Sequence, residues 1–240
     1  MRTLTLACID ADASPLFDPV DARGNRTGYE PAVAALVAAR MGLEIQWVVM
    51  GWDEMLPAVR DRRVDAVWCG QGIIPERQAV VDFTRPYAIF DETVLVRKGD
   101  PARTPADLAG YKVAAIAGSA NMRLAKTFEG AILVPFSGDT VYEDMLAAVA
   151  DSTVDAMVDD DVVLVPLAND PRYDVAFTVA TRNPWGIGVA KDNPVLREEF
   201  DAALTAVIAD GSLGEVWKAW MPTLEFPLEH TADTPTGSRA

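Results

Sequence analysis

Residues 52–66 read WDEMLPAVRDRRVDA and residues 142–156 read YEDMLAAVADSTVDA, so the two segments are related by a constant offset of 90 positions. Eight of the 15 aligned positions are identical, and three more exchange similar side chains, beginning with Trp52 and Tyr142. A generic helix-then-strand pattern would share its apolar spacing but not its Asp and Met positions. The repeat therefore predicts two lobes of like architecture, each built on its own βαβ unit.

Strands and helices alternate on both sides of this repeat. Apolar periodicity predicts them, and for one helix Pro31 in the first turn and Gly42 at the end add to the signal. The expected strands are 3–9, 43–50, 64–69, 111–118, 131–136 and 154–159, and the expected helices are 30–42, 52–63, 120–128 and 141–152. This alternation is typical of an α/β fold with mainly parallel sheets flanked by helices.

The rest of the chain supplies the boundaries. The boundary between the lobes is expected near residues 87–101, and two further helices separated by Gly211 are expected before residue 222. Residues 229–240 are polar, with Pro and Gly, and we predict a disordered tail there.

Composition excludes several classes of partner. The chain has 240 residues, half of them hydrophobic, which is enough for a substantial core. Its net charge of −15 repels phosphate backbones and anionic lipid heads, so nucleic-acid binding is not expected.

No apolar run is long enough for a transmembrane helix. The chain enters a strand almost at once without a leader pattern, so we expect either a cytosolic protein or one whose leader was removed.

Cysteine, histidine and glycine patterns do not predict a metal site or a cofactor. Cys8 and Cys69 have no CxxC spacing and the single histidine, His230, lies in the tail, so a zinc site is not expected. We interpret both cysteines as small buried residues, with a disulfide as the alternative. The loop at Gly70 and Gly72 lacks the third glycine and the later acidic residue of a dinucleotide site.

The segment that follows the third strand has the residues of a carboxylate-binding corner. Ligands of open parallel α/β sheets bind beyond the carboxyl ends of the strands. Gly70 and Gly72 let the backbone approach a ligand, and Pro75 suits the first turn of a short helix. Arg77 lies in that turn, and its planar guanidinium matches a carboxylate. The alternative interpretation is a surface arginine paired with Asp82.

The equivalent place in the second half, 90 residues on, carries three carboxylates, Asp159, Asp160 and Asp161. Carboxylates at the end of an apolar strand are unfavourable unless a cation compensates them. We rank an ammonium-binding site first, helix capping second and a metal site third.

An anion site in one lobe and a cation site in the other would enclose a zwitterion between them. This is the charge pattern of an α-amino acid. Trp52 and Tyr142 begin the repeated helices and are expected to flank the cleft, where aromatic faces suit the stem or cationic head of a ligand. Asp10 and Asp12 follow the first strand into the same cleft and would favour a second positive charge on the ligand.

At this point the chain resembles the bacterial extracytoplasmic solute-binding proteins of the polar amino-acid type, which serve ABC importers. The resemblance covers about residues 3–222. The matching stretches are TGYEPAVAALVAARMG, WDEMLPAVRDRRVDAVWCG, PERQAVVDFTRPY, DLAGYKVAAIAGS, VDAMVDDD and WGIGVAKDNPVLREEFDAALTAVIADGSLGEVWKAW. It implies the two-lobed type II periplasmic-binding-protein fold with a two-strand hinge. Lobe one would be residues 1–88 plus 187–228, and lobe two residues 89–186.

The resemblance also implies roles for individual residues. Arg77 would bind the ligand carboxylate, Asp160 the α-ammonium group, and Trp52 would pack on the ligand. Asp10 would contact a cationic ligand side chain, and the backbones of Gly70 and Ser119 would hydrogen-bond the ligand. The predicted binding set also contains the neighbouring residues Gly72, Asn121 and Asp159.

Three positions depart from the family pattern. The family usually has Ser or Thr where Gly72 stands, Ala120 replaces another common hydroxyl, and Ala13 replaces a common aromatic. These losses leave the ligand unidentified and suggest a larger or unusual one.

The prediction is a monomeric, periplasmic, non-enzymatic protein that binds an amino acid or a similar zwitterion, with or without an extra positive charge, for an ABC permease. One alternative is an enzyme like the cyclohexadienyl dehydratases, with a proton donor among Asp159–Asp161 and a part for Asn121. The other is a ligand-sensing receptor module.

Overall fold

The computed structural model describes residues 2–138 and 140–228, which form two five-stranded sheets flanked by helices. The elements up to the first crossing between the lobes are β1 (Arg2–Cys8), α1 (Tyr29–Met41), β2 (Leu43–Val49), α2 (Trp52–Arg60), β3 (Ala66–Val67), α3 (Pro75–Gln78), β4 (Asp82–Phe83) and β5 (Ala88–Arg97). The elements that follow are β6 (Lys112–Ile116), α4 (Ala120–Ala125), β7 (Ile132–Phe136), α5 (Val141–Ala150), β8 (Ala156–Asp160), α6 (Asp161–Leu164), β9 (Tyr173–Trp185), β10 (Gly188–Val189), α7 (Pro194–Ala209) and α8 (Ser212–Trp220). Two 3₁₀ helices span Pro105–Leu108 and Val165–Asn169.

Both sheets are mixed, with one strand in each that runs against its neighbours. The first has the order β2-β1-β3-β10-β4, and β10 is antiparallel to both β3 and β4. The second has the order β7-β6-β8-β5-β9, and β5 is antiparallel to both β8 and β9. The other strand pairs are parallel, as the alternation of strands and helices predicts: β1 with β2 and β3, and β6 with β7 and β8.

Two long strands, β5 and β9, carry the chain between the two sheets. They pair from Ala88↔Trp185 to Arg97↔Tyr173, with irregularities beside Phe90 and Val94. The first crossing therefore runs through residues 88–97. The first sheet uses strands from residues 2–83 and 188–189, and the second uses strands from residues 88–185. The exact division of the chain into lobes stays a prediction.

The sequence repeat is also a packing repeat. Met55, Ala58 and Val59 are the buried residues of α2, and their counterparts 90 positions on are the buried residues of α5. Each helix thus packs the same three side chains against its own sheet. This shared packing explains why the apolar residues recur. The recurring aspartates Asp65 and Asp155 each accept a backbone N–H of a neighbouring strand, from Thr5 and Lys112.

Glycine ends the elements where the sequence predicts it. Gly42 follows α1 with φ +66° and its N–H donates to Ala39 O at 3.2 Å, and Gly211 separates α7 from α8 with φ +82°. The strand expected at 64–69 is shorter than predicted, because the chain leaves the sheet after Val67 and turns at Gly70, φ +59°.

No helix within the described residues is both long and apolar enough to cross a membrane. The predicted disordered tail, residues 229–240, lies outside the described residues together with His230.

Candidate functional site

A cavity of about 100 Å³ lies between the two lobes, at the carboxyl ends of their parallel strands. Eight of the predicted residues line it: Trp52, Gly70, Gly72, Arg77, Ser119, Asn121, Asp159 and Asp160. Lobe one supplies the first four and lobe two the other four. Tyr142 lines it as well, as the repeat predicted. The lobes also meet at 2.9 Å through an exposed ion pair between Glu76 and Arg123.

Arg77 is directed towards this cavity by the short helix α3. Its Nη1 donates to the carbonyl of Gly72 at 3.3 Å, and its guanidinium carbon lies 5.5 Å from the centre of the Trp52 ring. Asp82 instead pairs with Lys191 at 3.3 Å, so the alternative of an Arg77–Asp82 surface pair is wrong. Burial lowers the pKa of Arg77 and the charge of Asp160 raises it, and an arginine shifted in this way still stays protonated at neutral pH.

Asp159 and Asp160 form the end of β8, opposite Thr93 and Glu92 of β5. Their exposed fractions are only 6% and 8%. Asp159 accepts a hydrogen bond from the Asp160 N–H at 2.8 Å, whereas the Oδ1 of Asp160 is buried and has no hydrogen-bond partner within residues 2–138 and 140–228. A buried, unpartnered carboxylate oxygen beside a cavity is suited to receive a cationic donor.

The other interpretations of this aspartate cluster find no support. Asp160 stands at the amino end of α6 but makes no side-chain capping bond there. Within residues 2–138 and 140–228, no group of three or more His, Cys, Asp or Glu side chains is arranged to hold a metal ion. The ammonium interpretation is the one that this geometry favours.

Burial raises the pKa of every carboxyl in this cluster, and repulsion from neighbouring carboxylates adds to the rise for Asp160 and Glu92. Desolvation is the main cause for Asp159, whose pKa is about 6, and for Asp160, whose pKa is raised well above its usual value with Asp159 and Glu92 as further causes. Desolvation likewise raises the pKa of Asp161 to about 6 and that of Glu92 to about 7. The cluster therefore holds protons near neutral pH when no cation is bound.

Ser119 and Asn121 contribute in different ways. The hydroxyl of Ser119 caps α4, since it accepts from Met122 N–H at 3.1 Å and donates to Ile116 O at 2.7 Å. Its hydroxyl is thus already engaged, and its backbone N–H also donates to Ile116 O at 3.2 Å, so a backbone contact from Ser119 to a ligand stays a prediction. Asn121 is 5% exposed, and its Nδ2 makes no close hydrogen bond within the described part of the chain. Its side chain faces Asp160 and lowers the pKa of that carboxyl, against the larger effect of burial.

The N–H of Gly70 is already engaged within the protein. It donates to Oε1 of the buried Glu30 at 2.8 Å, so a backbone contact from Gly70 to a ligand stays a prediction that would fall to its carbonyl. A Cβ at Gly70 would lie 3.4 Å from the Trp185 ring, in a backbone conformation with φ +59°.

Asp12, which was also expected in the cleft, does not line the cavity, and neither does Asp10 of the predicted binding set. Asp10 is exposed and accepts the backbone N–H of Val20 at 2.8 Å. The side chain turns back to its own loop because a carboxylate readily accepts a nearby backbone N–H there.

Several lining residues are missed by reasoning from sequence. They are Ile9, Leu16 and Phe17 from the first strand and loop, Ile116, Gly138, Val141 and Val163 from lobe two, and Asn183 and Trp185 from β9. Ala13 and Ala120, where the chain departs from the family pattern, line the cavity as well. The first loop has no counterpart in the repeat, and the β9 residues lie about 110 positions from Gly72, although Gly72 and Trp185 form a β-bridge. The one sequence signal for Trp185 is that it begins the last of the stretches that carry the family resemblance.

Both cysteines are buried and unpaired, as predicted. Burial raises the pKa of Cys8 to about 11 and raises that of Cys69 further, so both stay as protonated thiols near neutral pH.

The chain is similar in sequence to a known family of bacterial binding proteins. The family model for bacterial extracellular solute-binding proteins, family 3, matches residues 6–223. The ABC transporter arginine-binding protein 1 of Escherichia coli K12 is 27% identical over 214 residues, which is 87% of each chain.

Solved structures of amino acid-binding proteins are similar to this chain in fold. An ancestral arginine-binding protein bound to arginine aligns with TM-score 0.81 and 26% identity, over 92% of this chain and 99% of that one. An ancestral amino acid-binding protein that is a precursor of cyclohexadienyl dehydratase aligns with TM-score 0.77 and 27% identity, over 91% and 95%. The two-lobed fold predicted from the repeat is thereby confirmed.

Proposed function

The chain belongs to the bacterial extracellular solute-binding proteins of family 3, and we propose on that premise that it binds an α-amino acid of net positive charge for an ABC importer. One observation carries this proposal: Arg77 of lobe one and Asp160 of lobe two line the same interlobe cavity. The guanidinium would take the α-carboxylate as a planar fork. The unpartnered Asp160 oxygen would take the α-ammonium group.

The charge balance of the cavity supports a cationic ligand over a neutral one. Among the residues that the structure describes, its lining contains one guanidinium and two buried carboxylates, of Asp159 and Asp160. A neutral amino acid would leave one carboxylate uncompensated, which is unfavourable in a buried site. Asp159 would therefore supply the acid for the second positive charge that sequence reasoning assigned to Asp10. Two of the relatives compared above carry arginine in their names.

Calorimetric titration with a panel of four compounds tests the proposal. L-Arginine and L-lysine should bind, L-glutamine should bind at least about 10-fold more weakly, and agmatine, which is arginine without its α-carboxylate, should not bind measurably. Tight binding of agmatine would contradict the role of Arg77. If none of the amino acids binds, the proposed function is wrong.

The setting of the protein follows from the same family. Its members work with ABC permeases outside the cytoplasm, and we propose that this chain acts as a periplasmic monomer that delivers its ligand to such a permease. Its net charge of −15 supports the proposal that nucleic acid is not a partner.

Dehydratase activity is the second candidate, because Asp159 and Asp160 are buried carboxyls with raised pKa beside a cavity, as a proton donor requires. The dehydratase precursor among the similar structures is itself an amino acid-binding protein. We propose that this chain is not an enzyme. Incubation with prephenate or arogenate should leave both compounds unconsumed, and their turnover would establish the alternative.

Binding should weaken in acid, while the ligand-free protein should become more stable. With the Asp159 pKa at about 6, its carboxylate is mostly protonated at pH 5, so affinity for arginine should fall about 10-fold between pH 7.5 and 5. The unfolded carboxyls titrate near pH 4, so between pH 4 and 7 the folded state holds more protons. This contribution to stability is therefore lost as pH rises.

Titration calorimetry at both pH values and thermal unfolding without ligand measure these opposite trends. Equal affinity at pH 5 and 7.5 would contradict an ionised Asp159 in the complex.

Replacing Gly72 by serine should strengthen binding. A Cβ at Gly72 would lie 3.5 Å from both Arg77 Nη1 and Asn183 Nδ2, in ordinary contact, so the hydroxyl would join the carboxylate corner without strain. An added hydrogen bond to a carboxylate predicts about 3- to 10-fold tighter arginine binding by calorimetry. Gly70→Ser is the matched control, since its φ of +59° predicts strain and lower stability. Weaker binding by Gly72→Ser would show that the ligand carboxylate lies elsewhere.

A further inference from the structure

A buried carboxylate lies directly behind the ligand loop, on the side away from the cavity. Glu30, in the first turn of α1, is fully buried. Its Oε1 accepts from the backbone N–H of Gly70 at 2.8 Å and from the hydroxyl of Tyr87. One carboxylate oxygen thus joins a cavity-lining residue to the residue that directly precedes β5.

Tyr87 is fixed from two directions. Its hydroxyl donates to Glu30, and its backbone carbonyl accepts a hydrogen bond from the Tyr29 hydroxyl at 2.7 Å. Because Tyr87 leads into β5, which crosses between the lobes, the Glu30 carboxylate connects the ligand loop with the start of the hinge.

Arg26 completes this buried layer. It is 7% exposed, donates to the carbonyl of Ile9 at 3.1 Å, and stacks over Phe17 at 4.5 Å. Ile9 and Phe17 both line the cavity. The charge of Arg26 opposes the rise in the Glu30 pKa that burial causes. Arg26 and Glu30 therefore support three lining residues of lobe one, Ile9, Phe17 and Gly70, without touching the cavity themselves.

We propose that Glu30 is a positioning residue for ligand binding, which holds the Gly70 loop in its binding geometry and ties that loop to the first crossing strand through Tyr87. This inference rests on the proposed function, since it concerns the same cavity. A buried charge is not needed merely to fill this place, because an apolar side chain of equal size would avoid the desolvation penalty.

Asp65 offers a matched control in the same sheet. Its carboxylate accepts from the backbone N–H and hydroxyl of Thr5 at 2.8 and 2.7 Å, so it also anchors a backbone segment. Neither Asp65 nor Thr5 lines the cavity. Loss of Asp65 should lower stability without disturbing the ligand loop.

The experiment compares Glu30→Met, Glu30→Gln and Asp65→Ala with the unaltered protein, using L-arginine as the probe. Glu30→Met removes the acceptor, and calorimetry should show arginine binding at least about 10-fold weaker. Glu30→Gln retains an acceptor oxygen and should restore the affinity to within about 3-fold. Asp65→Ala should lower the melting temperature and leave the affinity unchanged. If Glu30→Met melts lower but binds like the unaltered protein, Glu30 is only structural and the inference is wrong.

Amide hydrogen exchange of ligand-free protein separates this inference from the proposed function. The Gly70 N–H should exchange at least about 10-fold faster in Glu30→Met and keep its rate in Asp65→Ala. If arginine does not bind the unaltered protein, the arginine assignment fails and the exchange rate of Gly70 decides the inference. An unchanged Gly70 rate in Glu30→Met would overturn it.

Discussion

Replacing Arg77 by methionine should weaken arginine binding by at least about 100-fold, because truncating one partner of a buried charge pair leaves the other charge without compensation. In the complex that charge would be the ligand α-carboxylate. Among the described residues the Arg77 side chain makes one hydrogen bond, to Gly72 O, so the fold depends little on this side chain. The melting temperature of the ligand-free variant should stay near that of the unaltered protein.

Two further variants make the Arg77 result specific. Arg77→Lys keeps the charge but loses the planar fork, and its affinity should fall between those of the unaltered protein and Arg77→Met. Arg60→Met removes an exposed arginine whose partner is the neighbouring Asp61, and it should bind arginine normally. If Arg77→Met retains the arginine-induced rise in melting temperature, Arg77 is not the carboxylate site.

Replacing Asp160 by asparagine should reduce affinity to a similar degree while stabilising the ligand-free protein. The amide is isosteric but neutral, so it cannot compensate an ammonium group in a buried site. Burial raises the pKa of Asp160 well above its usual value, which means that its charged form is unfavourable without ligand. Asparagine removes that penalty, and the melting temperature should rise at neutral pH.

Calorimetry and thermal unfolding of Asp160→Asn measure these two effects independently. Asp151→Asn, at an exposed carboxylate that ends α5, is the control and should leave binding unchanged. An Asp160→Asn variant that binds arginine as tightly as the unaltered protein would remove Asp160 from the site.

The fold could be predicted from the sequence because the sequence contains the same helix-and-strand pattern twice. Met55 with Met145 and Val59 with Val149 occupy equivalent buried positions, so local periodicity and the internal repeat gave the same answer. The repeat also predicted Arg77 and Asp160 as binding residues. Arg77 follows one repeated strand and Asp160 ends the other, and the carboxyl ends of parallel strands are where ligands bind.

The rest of the site depends on long-range contacts that local sequence does not encode. Asn183 and Trp185 reach the cavity because β9 returns beside Gly72, a pairing set by sheet topology. Asp10 and Gly70 show that a protein group can take the hydrogen bond expected for a ligand. The carboxylate of Asp10 accepts the N–H of Val20, and the N–H of Gly70 donates to Glu30. Polar groups near a cleft are open to a ligand only when no protein partner satisfies them first.

A crystal structure of the protein with its tightest-binding amino acid tests the central claim most directly. The α-carboxylate oxygens should lie within about 3 Å of the Arg77 guanidinium nitrogens, with the α-ammonium group at a similar distance from Asp160. A ligand bound outside this cavity, or one whose carboxylate and ammonium groups contact neither Arg77 nor Asp160, would contradict the account.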